Sequence, residues 1–328
     1  MSTTPPAGGM INTPDDGRPA DAGLVSSAAA LPPCVDSSTS ARAYRSVQSS
    51  RSLAPYLLVG LPAAFLLVFF VVPTAILFSA SVLESDGMAP SATLTAANFQ
   101  TLLTHRIYTD AILRSFEIGL AVGALVVLLA YPIAYLLVRT TTRWKNILLA
   151  LALAPLLASV IVRTYGWWVL FNRDGAINTV LLAAGLIAEP LRMLPSMPVI
   201  IIGLAHALLP YGVLTLMASL HGVNPNVERA ATSLGASRLR RFVEVTLPLT
   251  APGIAGGFLL SFGVAISAYA TPAILGGPAT QTMATLIFSL MTTLLNWSLG
   301  SALGVVLLVS TFTVLGLTTL AGKRRAAV

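Results

Sequence analysis

Long apolar runs follow one another along the chain from Leu53 to its end. They lie at about 56–79, 115–138, 147–171, 198–220, 252–275 and 301–321. At a helical rise of about 1.5 Å per residue, each run can cross the roughly 30 Å of hydrocarbon in a bilayer. Backbone groups in lipid must hydrogen-bond within their own segment, and the runs lack the two-residue alternation of barrel strands. The pattern therefore predicts an all-α integral membrane protein with six transmembrane helices.

Residues 1–52 differ in composition from everything that follows. They are rich in Ser, Ala, Pro, Thr and Gly and carry few charges. Such a segment buries too little apolar surface to offset its conformational entropy. It also lacks the basic start and early apolar stretch of a secretory signal peptide. We predict a disordered cytoplasmic tail at 1–52 and a six-span domain at 53–328.

Charged residues are scarce in this chain. They make up 9% of the 328 residues, against 55% hydrophobic, whereas soluble domains carry about 25% charged residues. So few charges cannot cover a water-exposed surface, which excludes a soluble globular protein. One cysteine and three histidines exclude a disulfide scaffold and a cysteine-rich metal centre. No constellation of paired carboxylates or nucleophile and base indicates an enzyme, so we predict no catalytic residue, no metal and no cofactor.

The net charge of +7 is explained by membrane topology. Most of the 19 Lys and Arg residues fall in the tail, at 139–146, at 221–251 and after residue 321. With six spans, these segments all lie on one side of the membrane, and Lys and Arg concentrate on the cytoplasmic side. Both termini are therefore predicted to be cytoplasmic, and the basic excess requires no nucleic-acid partner.

The cytoplasmic loop at about 221–251 carries helix signals of its own. Asn224 can cap a helix that starts at Pro225, and Gly235 can end it in the left-handed conformation. A second amphipathic stretch follows, and Pro248 is predicted to end it. The pattern predicts a short helix, a glycine turn and a second short helix. Such an element either lies on anionic lipid headgroups or docks onto a cytoplasmic partner.

The same loop resembles the EAA loop of ABC-importer permeases, and we call residues 221–251 the EAA loop. The family pattern places Glu-Ala-Ala, a glycine and a Leu-Pro pair at fixed spacing. This chain keeps that register except at the glutamate position, where an arginine stands and the glutamate comes one residue earlier. The resemblance implies that the loop couples to an ATPase, through Glu228, Arg229, Ala230, Ala231, Gly235, Leu247 and Pro248.

The resemblance covers roughly residues 55–325 and includes VRTYGWWVLFNRDGAIN at 162–178 and YATPAILGGP at 269–278. These segments are similar to the spermidine/putrescine-type branch of the MetI-like permeases. The resemblance implies a MetI-like fold in the bacterial inner membrane. It also implies a second homologous permease chain, two cytoplasmic ABC ATPase subunits and a periplasmic substrate-binding protein. A polyamine is the implied substrate, although related branches are associated with iron, phosphonates, thiamine and opines.

ATP hydrolysis is expected to reside in a separate partner subunit. The nearest match to a phosphate-binding loop, at 316–323, has one residue too many between its glycines, and an arginine stands where Ser or Thr is required. A secondary, ion-coupled transporter is the alternative. No acidic residue lies at the middle of a predicted span, which argues against proton coupling and leaves sodium coupling open.

Four residues are candidates for the substrate pathway or its outer gate. Glu117 has Arg114 three residues earlier, so it forms either a structural ion pair or a substrate carboxylate. Arg163 lies among aromatic residues near the predicted outer interface, where it either reaches the headgroups or takes part in a gate. Tyr211 and Tyr269 belong to spans four and five, where they either line the pathway or pack between helices.

Overall fold

The computed structural model describes residues 54–85, 90–140 and 143–326. The predicted tail at 1–52 lies outside these residues. The chain divides into two compact units, 1–63 and 64–328. The described part of the first unit is the start of a helix.

Helices dominate the described residues, which also include two short strands. The helices are α1 Ala54–Ser81, α2 Ala97–Thr104, α3 Arg106–Arg139, α4 Lys145–Leu157, α5 Val160–Phe171, α6 Ala176–Ala183, α7 Met197–Gly222, α8 Pro225–Ser233, α9 Arg238–Arg241, α10 Leu247–Leu249, α11 Ala251–Ile266, α12 Ala270–Leu275, α13 Met283–Thr292 and α14 Trp297–Ala326. A π-helical turn, Phe242–Thr246, joins α9 to α10, and a 3-10 turn spans Pro278–Thr280. Strands β1 Leu83–Ser85 and β2 Pro90–Leu94 pair antiparallel.

Within the described ranges, four helices are long and apolar enough to cross a membrane alone, namely α1, α3, α7 and α14. Two further helix pairs are apolar enough only when taken together, and each pair is bent at a short break. Lys145–Leu157 meets Val160–Ala183 at 101°, and Arg238–Leu249 meets Ala251–Ile266 at 64°. The described residues thus contain four candidate spans, or up to six if each bent pair is one span. The mostly helical membrane architecture is confirmed.

Two of the apolar runs are not the single helices that the sequence predicts. The run at 147–171 is interrupted after Leu157, where Ala158 and Ser159 adopt extended backbone before α5 begins. The run at 252–275 is interrupted between α11 and α12. There Pro272 cannot donate to the carbonyl of Ala268, and its ring clashes with a helical carbonyl four residues back. Each of these two runs is therefore two helices, where the sequence predicts one.

Helices α3, α7 and α11 form the centre of the second unit. They pack against one another along most of their lengths, and their contact surfaces are apolar. Glycines bring the backbones close together, as expected where helices associate without water to drive them. A methyl group on Gly212 of α7 would lie 2.5 Å from Val126 Cγ1 of α3. One on Gly253 of α11 would lie 2.2 Å from Ser219 Cβ of α7.

We expect Gly253→Ala to destabilise the protein by about 1–3 kcal/mol, because the new methyl group overpacks the contact between α7 and α11. Gly263→Ala on the same helix is the matched control, since a Cβ there meets nothing within 4 Å. That control should be neutral or slightly stabilising, because alanine is the better helix former. Thermal unfolding in mild detergent measures both variants. Equal melting temperatures for the two would contradict the close helix contact.

Candidate functional site in the EAA loop and a cavity between broken helices

The EAA loop begins as its sequence predicts. Helix α8 starts at Pro225, and the Asn224 side chain accepts a hydrogen bond from the Asn226 backbone N–H at 3.0 Å. This bond satisfies one of the amides that the first helical turn leaves free. The predicted capping role of Asn224 is confirmed.

Gly235 ends α8 with a left-handed backbone, at φ +86°. The Gly235 N–H donates to the Thr232 carbonyl at 3.0 Å, and the Ala236 N–H donates to the Ala231 carbonyl at 3.0 Å. These two bonds form a Schellman motif, which closes a helix C-terminus and favours glycine at this position. The predicted glycine turn is confirmed.

The second half of the loop is helical up to Pro248, as predicted, and contains a π-helical turn that the sequence does not predict. Helical structure continues from α9 through the π-helical turn into α10, which contains Pro248, and resumes in α11 after Thr250. The Leu247 N–H donates to the Phe242 carbonyl five residues earlier. A wider π turn before the proline accommodates a residue that cannot donate. The second helical stretch therefore ends at Leu249, one residue after the predicted end at Pro248, and α11 begins after a 64° bend at Thr250.

Glu228 joins three elements at the base of the loop. Its Oε1 accepts hydrogen bonds from Arg139 Nη2 at 2.7 Å and from Thr246 Oγ1 at 3.2 Å. The side chains of Arg139 and Glu228 are 17% and 11% exposed, so little water screens the pair. Arg139 is the last residue of α3, and Thr246 is fully buried in the π-helical turn. One carboxylate thus ties α8 to α3 and to the second half of the loop.

Aromatic contacts fasten the loop to α3 a second time. The Phe242 ring meets Tyr131 edge to face at 5.5 Å between centroids, and it meets Tyr135 in the same way at 5.8 Å. The Tyr131 hydroxyl lies 2.9 Å from Thr250 Oγ1. Edge-to-face pairs add roughly 0.5–1.5 kcal/mol each beyond the apolar area that they bury. The loop is therefore attached to α3 by the Arg139–Glu228 ion pair and by aromatic packing around Phe242.

The far end of the loop is exposed and apolar. Leu234, before the glycine turn, is 89% exposed, and Leu239 in α9 is 73% exposed. Arg229 is exposed and donates to the Asn226 side chain at 3.2 Å. Of the other predicted loop residues, Ala230 and Pro248 are exposed, and Ala231 and Leu247 are half-buried. We call Leu234 and Leu239 the loop tip.

Three of the four predicted pathway residues line one cavity of about 360 Å³, namely Arg163, Tyr211 and Tyr269. The cavity lies beside both helix interruptions. Ala158 lines it at the break between α4 and α5, and Ser267 lines it at the break between α11 and α12. We call it the broken-helix cavity. Non-helical backbone at membrane depth occurs where protein buries it or where it borders a watery cavity.

The side chains of the broken-helix cavity are apolar apart from a few groups. Arg163 is half-buried, and its Nη1 donates to the Pro155 carbonyl at the end of α4. It therefore reaches back across the break and satisfies a terminal helix carbonyl. Tyr211 and Tyr269 are each 39% exposed, and the Tyr269 ring packs on Phe288 at 4.6 Å between centroids.

Glu117 lies apart from this cavity and lacks its predicted partner. It is exposed on α3. Arg114 pairs instead with Asp110, at 3.6 Å between Nη2 and Oδ2. Both acids lie within one helical turn of Arg114, so spacing alone does not choose between them. The predicted ion pair between Arg114 and Glu117 was wrong.

Sequence reasoning missed the residues that hold the loop on α3. Arg139 counts among the basic residues that the sequence predicts to be cytoplasmic, and its contact with Glu228 spans 89 positions. Phe242 belongs to the apolar face of the second helical stretch, but no pattern in the neighbouring sequence indicates that it packs against Tyr131 and Tyr135. The basic residue at the end of a span was the one available signal.

A family model described as "Binding-protein-dependent transport system inner membrane component" matches residues 55–326. The chain is 30% identical over 243 residues to the spermidine/putrescine transport system permease protein PotB of Haemophilus influenzae, covering 74% of this chain and 85% of that one. It is 28% identical to PotB of Escherichia coli, covering 74% and 88%. The inner membrane ABC transporter permease protein YdcU of Escherichia coli is 31% identical, covering 58% and 64%.

Solved structures share the fold at low sequence identity. A chain of a bacterial ABC transporter for import of the acidic polysaccharide alginate matches with a TM-score of 0.69 and 16% identity, covering 86% of this chain and 99% of that one. A chain of the MetNI methionine ABC transporter in an inward-facing conformation matches with a TM-score of 0.52 and 14% identity, covering 72% and 100%. The protein belongs to the family of inner membrane components of binding-protein-dependent transport systems and is a permease of an ABC importer.

Proposed function

We propose that this chain crosses the membrane six times, with both termini in the cytoplasm. Helices α1, α3, α7 and α14 each form one span, α4 and α5 together form another, and α11 with α12 forms the sixth. The distribution of Lys and Arg supports this orientation. It puts the EAA loop on the cytoplasmic side and the break between α4 and α5 nearer the outer side. In this arrangement the chain supplies half of the substrate pathway, and a second homologous permease supplies the other half.

The EAA loop transmits ATP-driven movement in this proposal. Its fastening to α3 through Glu228 and Phe242 is the observation that carries the proposal, because a loop that merely lay on lipid would not need a buried ion pair at its base. The exposed loop tip, Leu234 and Leu239, offers apolar surface to a cytoplasmic ATPase. Two such ATPase subunits hydrolyse ATP, and a periplasmic binding protein delivers the solute.

Glu228 and Arg229 divide the roles of the family's single glutamate. The Glu228 carboxylate is engaged inside the permease, with Arg139 and Thr246. Arg229, at the family's glutamate position, is exposed beside the loop tip. We therefore assign Glu228 to holding the loop and Arg229 to contact with the ATPase subunit.

The substrate is a small amine-bearing solute in this proposal, and polyamines are the first candidates. The names of the PotB relatives from Haemophilus influenzae and Escherichia coli support this class, because both are described as spermidine/putrescine permeases. The binding protein selects the solute before it reaches the membrane.

Purification of the tagged chain in mild detergent tests the assembly. We expect mass spectrometry to find an ABC ATPase and a second permease in the same eluate. The reconstituted complex should hydrolyse ATP faster when its binding protein is added. A chain that purifies alone in several detergents and carries solute down an ion gradient in liposomes would overturn the importer assignment in favour of a secondary transporter.

A further inference from the structure

The EAA loop carries an excess of positive charge. It contains four arginines and two glutamates, and both glutamates are already paired. Glu228 binds Arg139 of α3, and Glu244 binds Arg240 at 2.9 Å between Oε2 and Nε. The remaining three arginines have no carboxylate partner among the described residues, namely Arg229, Arg238 and Arg241. We call these three residues the basic cluster.

The basic cluster lies on both sides of the glycine turn. Arg241 Nη1 donates to Thr232 Oγ1 at 2.9 Å, which joins the end of α9 to α8 across the turn. Thr232 follows Arg229 by three residues, so the two side chains lie on the same face of α8. Arg238 is the first residue of α9 and precedes Leu239 of the loop tip. Arg229 and Arg238 are exposed.

This surface has the composition of a protein interface. The loop tip, Leu234 and Leu239, offers exposed apolar side chains, and the basic cluster surrounds it with charge. Interfaces commonly combine an apolar centre with a polar rim, and arginine is enriched in them. Like charges that lie near one another repel, and a partner with carboxylates on its facing surface relieves that repulsion.

A protein groove fits this surface better than a lipid surface does. A helix that lies on a membrane needs a continuous apolar face. Helix α9 has one leucine among three arginines. The largest apolar side chain of the second helical stretch, Phe242, packs against Tyr131 and Tyr135 inside the permease. The apolar surface that remains exposed is therefore narrow, which suits a pocket on a partner protein.

We infer that the ATPase subunit receives the EAA loop in a groove with an apolar floor for the loop tip and with Asp or Glu side chains opposite Arg229 and Arg238. The inference rests on the proposed function and adds the chemistry of the partner surface. An ATPase that carries Lys or Arg at those places is repelled by the basic cluster. The loop thus selects its ATPase by attraction to acidic surfaces and by repulsion of basic ones.

Charge reversal at Arg229 tests this attraction. ATPase subunits are titrated onto the two permease chains in nanodiscs of phosphatidylcholine, a lipid without net charge. ATP hydrolysis stimulated by the binding protein reports the productive complex. We expect Arg229→Gln to weaken the apparent affinity for the ATPase up to about fivefold. Arg229→Glu should weaken it about tenfold or more, because its carboxylate then faces the acidic residues of the partner.

Two further variants separate this effect from damage to the fold. Arg143→Glu is the matched control, since Arg143 is exposed between α3 and α4 and lies outside the EAA loop. It should bind the ATPase like the unaltered complex. Arg238→Glu repeats the test at a side chain that forms no hydrogen bond within the described chain, so its replacement removes no internal contact. We expect the same tenfold loss there, with an unchanged melting temperature.

A photo-crosslinking amino acid in place of Ser233 identifies the facing residues of the ATPase. Ser233 is exposed on α8, and it follows Arg229 by four residues, so the two side chains are neighbours on the helix surface. We expect the crosslinked peptide of the ATPase to contain Asp or Glu. Replacing that acidic residue by Arg should restore the affinity of the Arg229→Glu permease.

The inference fails if Arg229→Glu and Arg238→Glu both leave the affinity for the ATPase unchanged. It also fails if the crosslinked peptide contains no acidic residue. Anionic lipid is the other partner that a basic loop can bind. If charge reversal acts only in nanodiscs with phosphatidylglycerol, the basic cluster binds lipid and the acidic groove is excluded. Failure of the unaltered chain to copurify with any ATPase would instead overturn the proposed function.

Discussion

Replacing Gly235 by proline is expected to abolish ATP-driven uptake while the chain remains in the membrane. Gly235 has φ +86°, whereas proline fixes φ near −65°. Proline also lacks the N–H that donates to the Thr232 carbonyl. We estimate a local cost of about 3 kcal/mol or more, which the loop can relieve only by changing the angle between α8 and α9. The loop tip then no longer fits its ATPase.

Uptake and ATP hydrolysis in proteoliposomes measure this effect together. We expect hydrolysis to continue without binding-protein stimulation, and uptake to fall to background. Gly235→Ala is the milder control, because open space surrounds the position and alanine incurs only about 1–2 kcal/mol of backbone strain. It should couple partially. Normal coupling by the proline variant would contradict the role that we assign to the loop.

Separating Glu228 from Arg139 is expected to give the second large effect. The side chains of Arg139 and Glu228 are 17% and 11% exposed. Removing one of them leaves the charge of the other buried and uncompensated. Such a loss costs about 3–5 kcal/mol. We expect Glu228→Ala and Arg139→Ala each to lower the melting temperature and to uncouple hydrolysis from uptake, because α8 loses its attachment to α3.

A double-mutant cycle distinguishes this pair from two independent residues. The double alanine variant should lose less stability than the sum of the single variants, because neither charge is then left unpaired. The exposed pair of Arg240 and Glu244, at 68% and 58% exposure, provides the control, and Arg240→Ala should cost at most about 0.5 kcal/mol. Additive losses at Arg139 and Glu228 would show that the ion pair does not hold the loop.

Local signals in the sequence account for the start of the EAA loop. Asn224, Pro225 and Gly235 act through their own backbone preferences, so their roles can be predicted without knowledge of the fold. The unbroken spans are equally accessible, because a long apolar run needs no tertiary information to be recognised. These parts of the structure agree with the prediction for that reason.

The helix interruptions are harder to predict, because proline alone does not decide them. Pro132 and Pro210 lie inside the continuous helices α3 and α7, whereas Pro272 follows directly after a break. Neighbouring helices re-satisfy the backbone groups that a proline releases, so the outcome depends on tertiary packing. The broken-helix cavity depends on two such breaks meeting in space, which no local pattern specifies.

Contacts between residues that are far apart in the chain also cannot be predicted from local sequence patterns. Glu228 and Arg139 are 89 positions apart. In the sequence, Glu228 is part of a loop motif and Arg139 is one of the basic residues predicted to be cytoplasmic, so neither indicates the other as its partner. Arg114 is difficult for another reason, because two acidic residues lie within helical reach of it and it pairs with only one of them, Asp110. Sequence spacing shows which residues could pair with Arg114, and the packing of the fold determines which one does.

In the proposed mechanism, Thr250 is the hinge between the EAA loop and α11. Thr250 lies at the 64° bend, and its Oγ1 forms a hydrogen bond with the Tyr131 hydroxyl of α3. On one side lies the loop tip, and on the other α11 extends to Val264 and Ser267 at the cavity wall. The 16 residues of α11 measure about 24 Å. A rotation of α11 by about 10° around Thr250 therefore moves the end of the helix that borders the cavity by about 4 Å. In the proposed mechanism, a displacement of this size opens or closes the broken-helix cavity to a small solute.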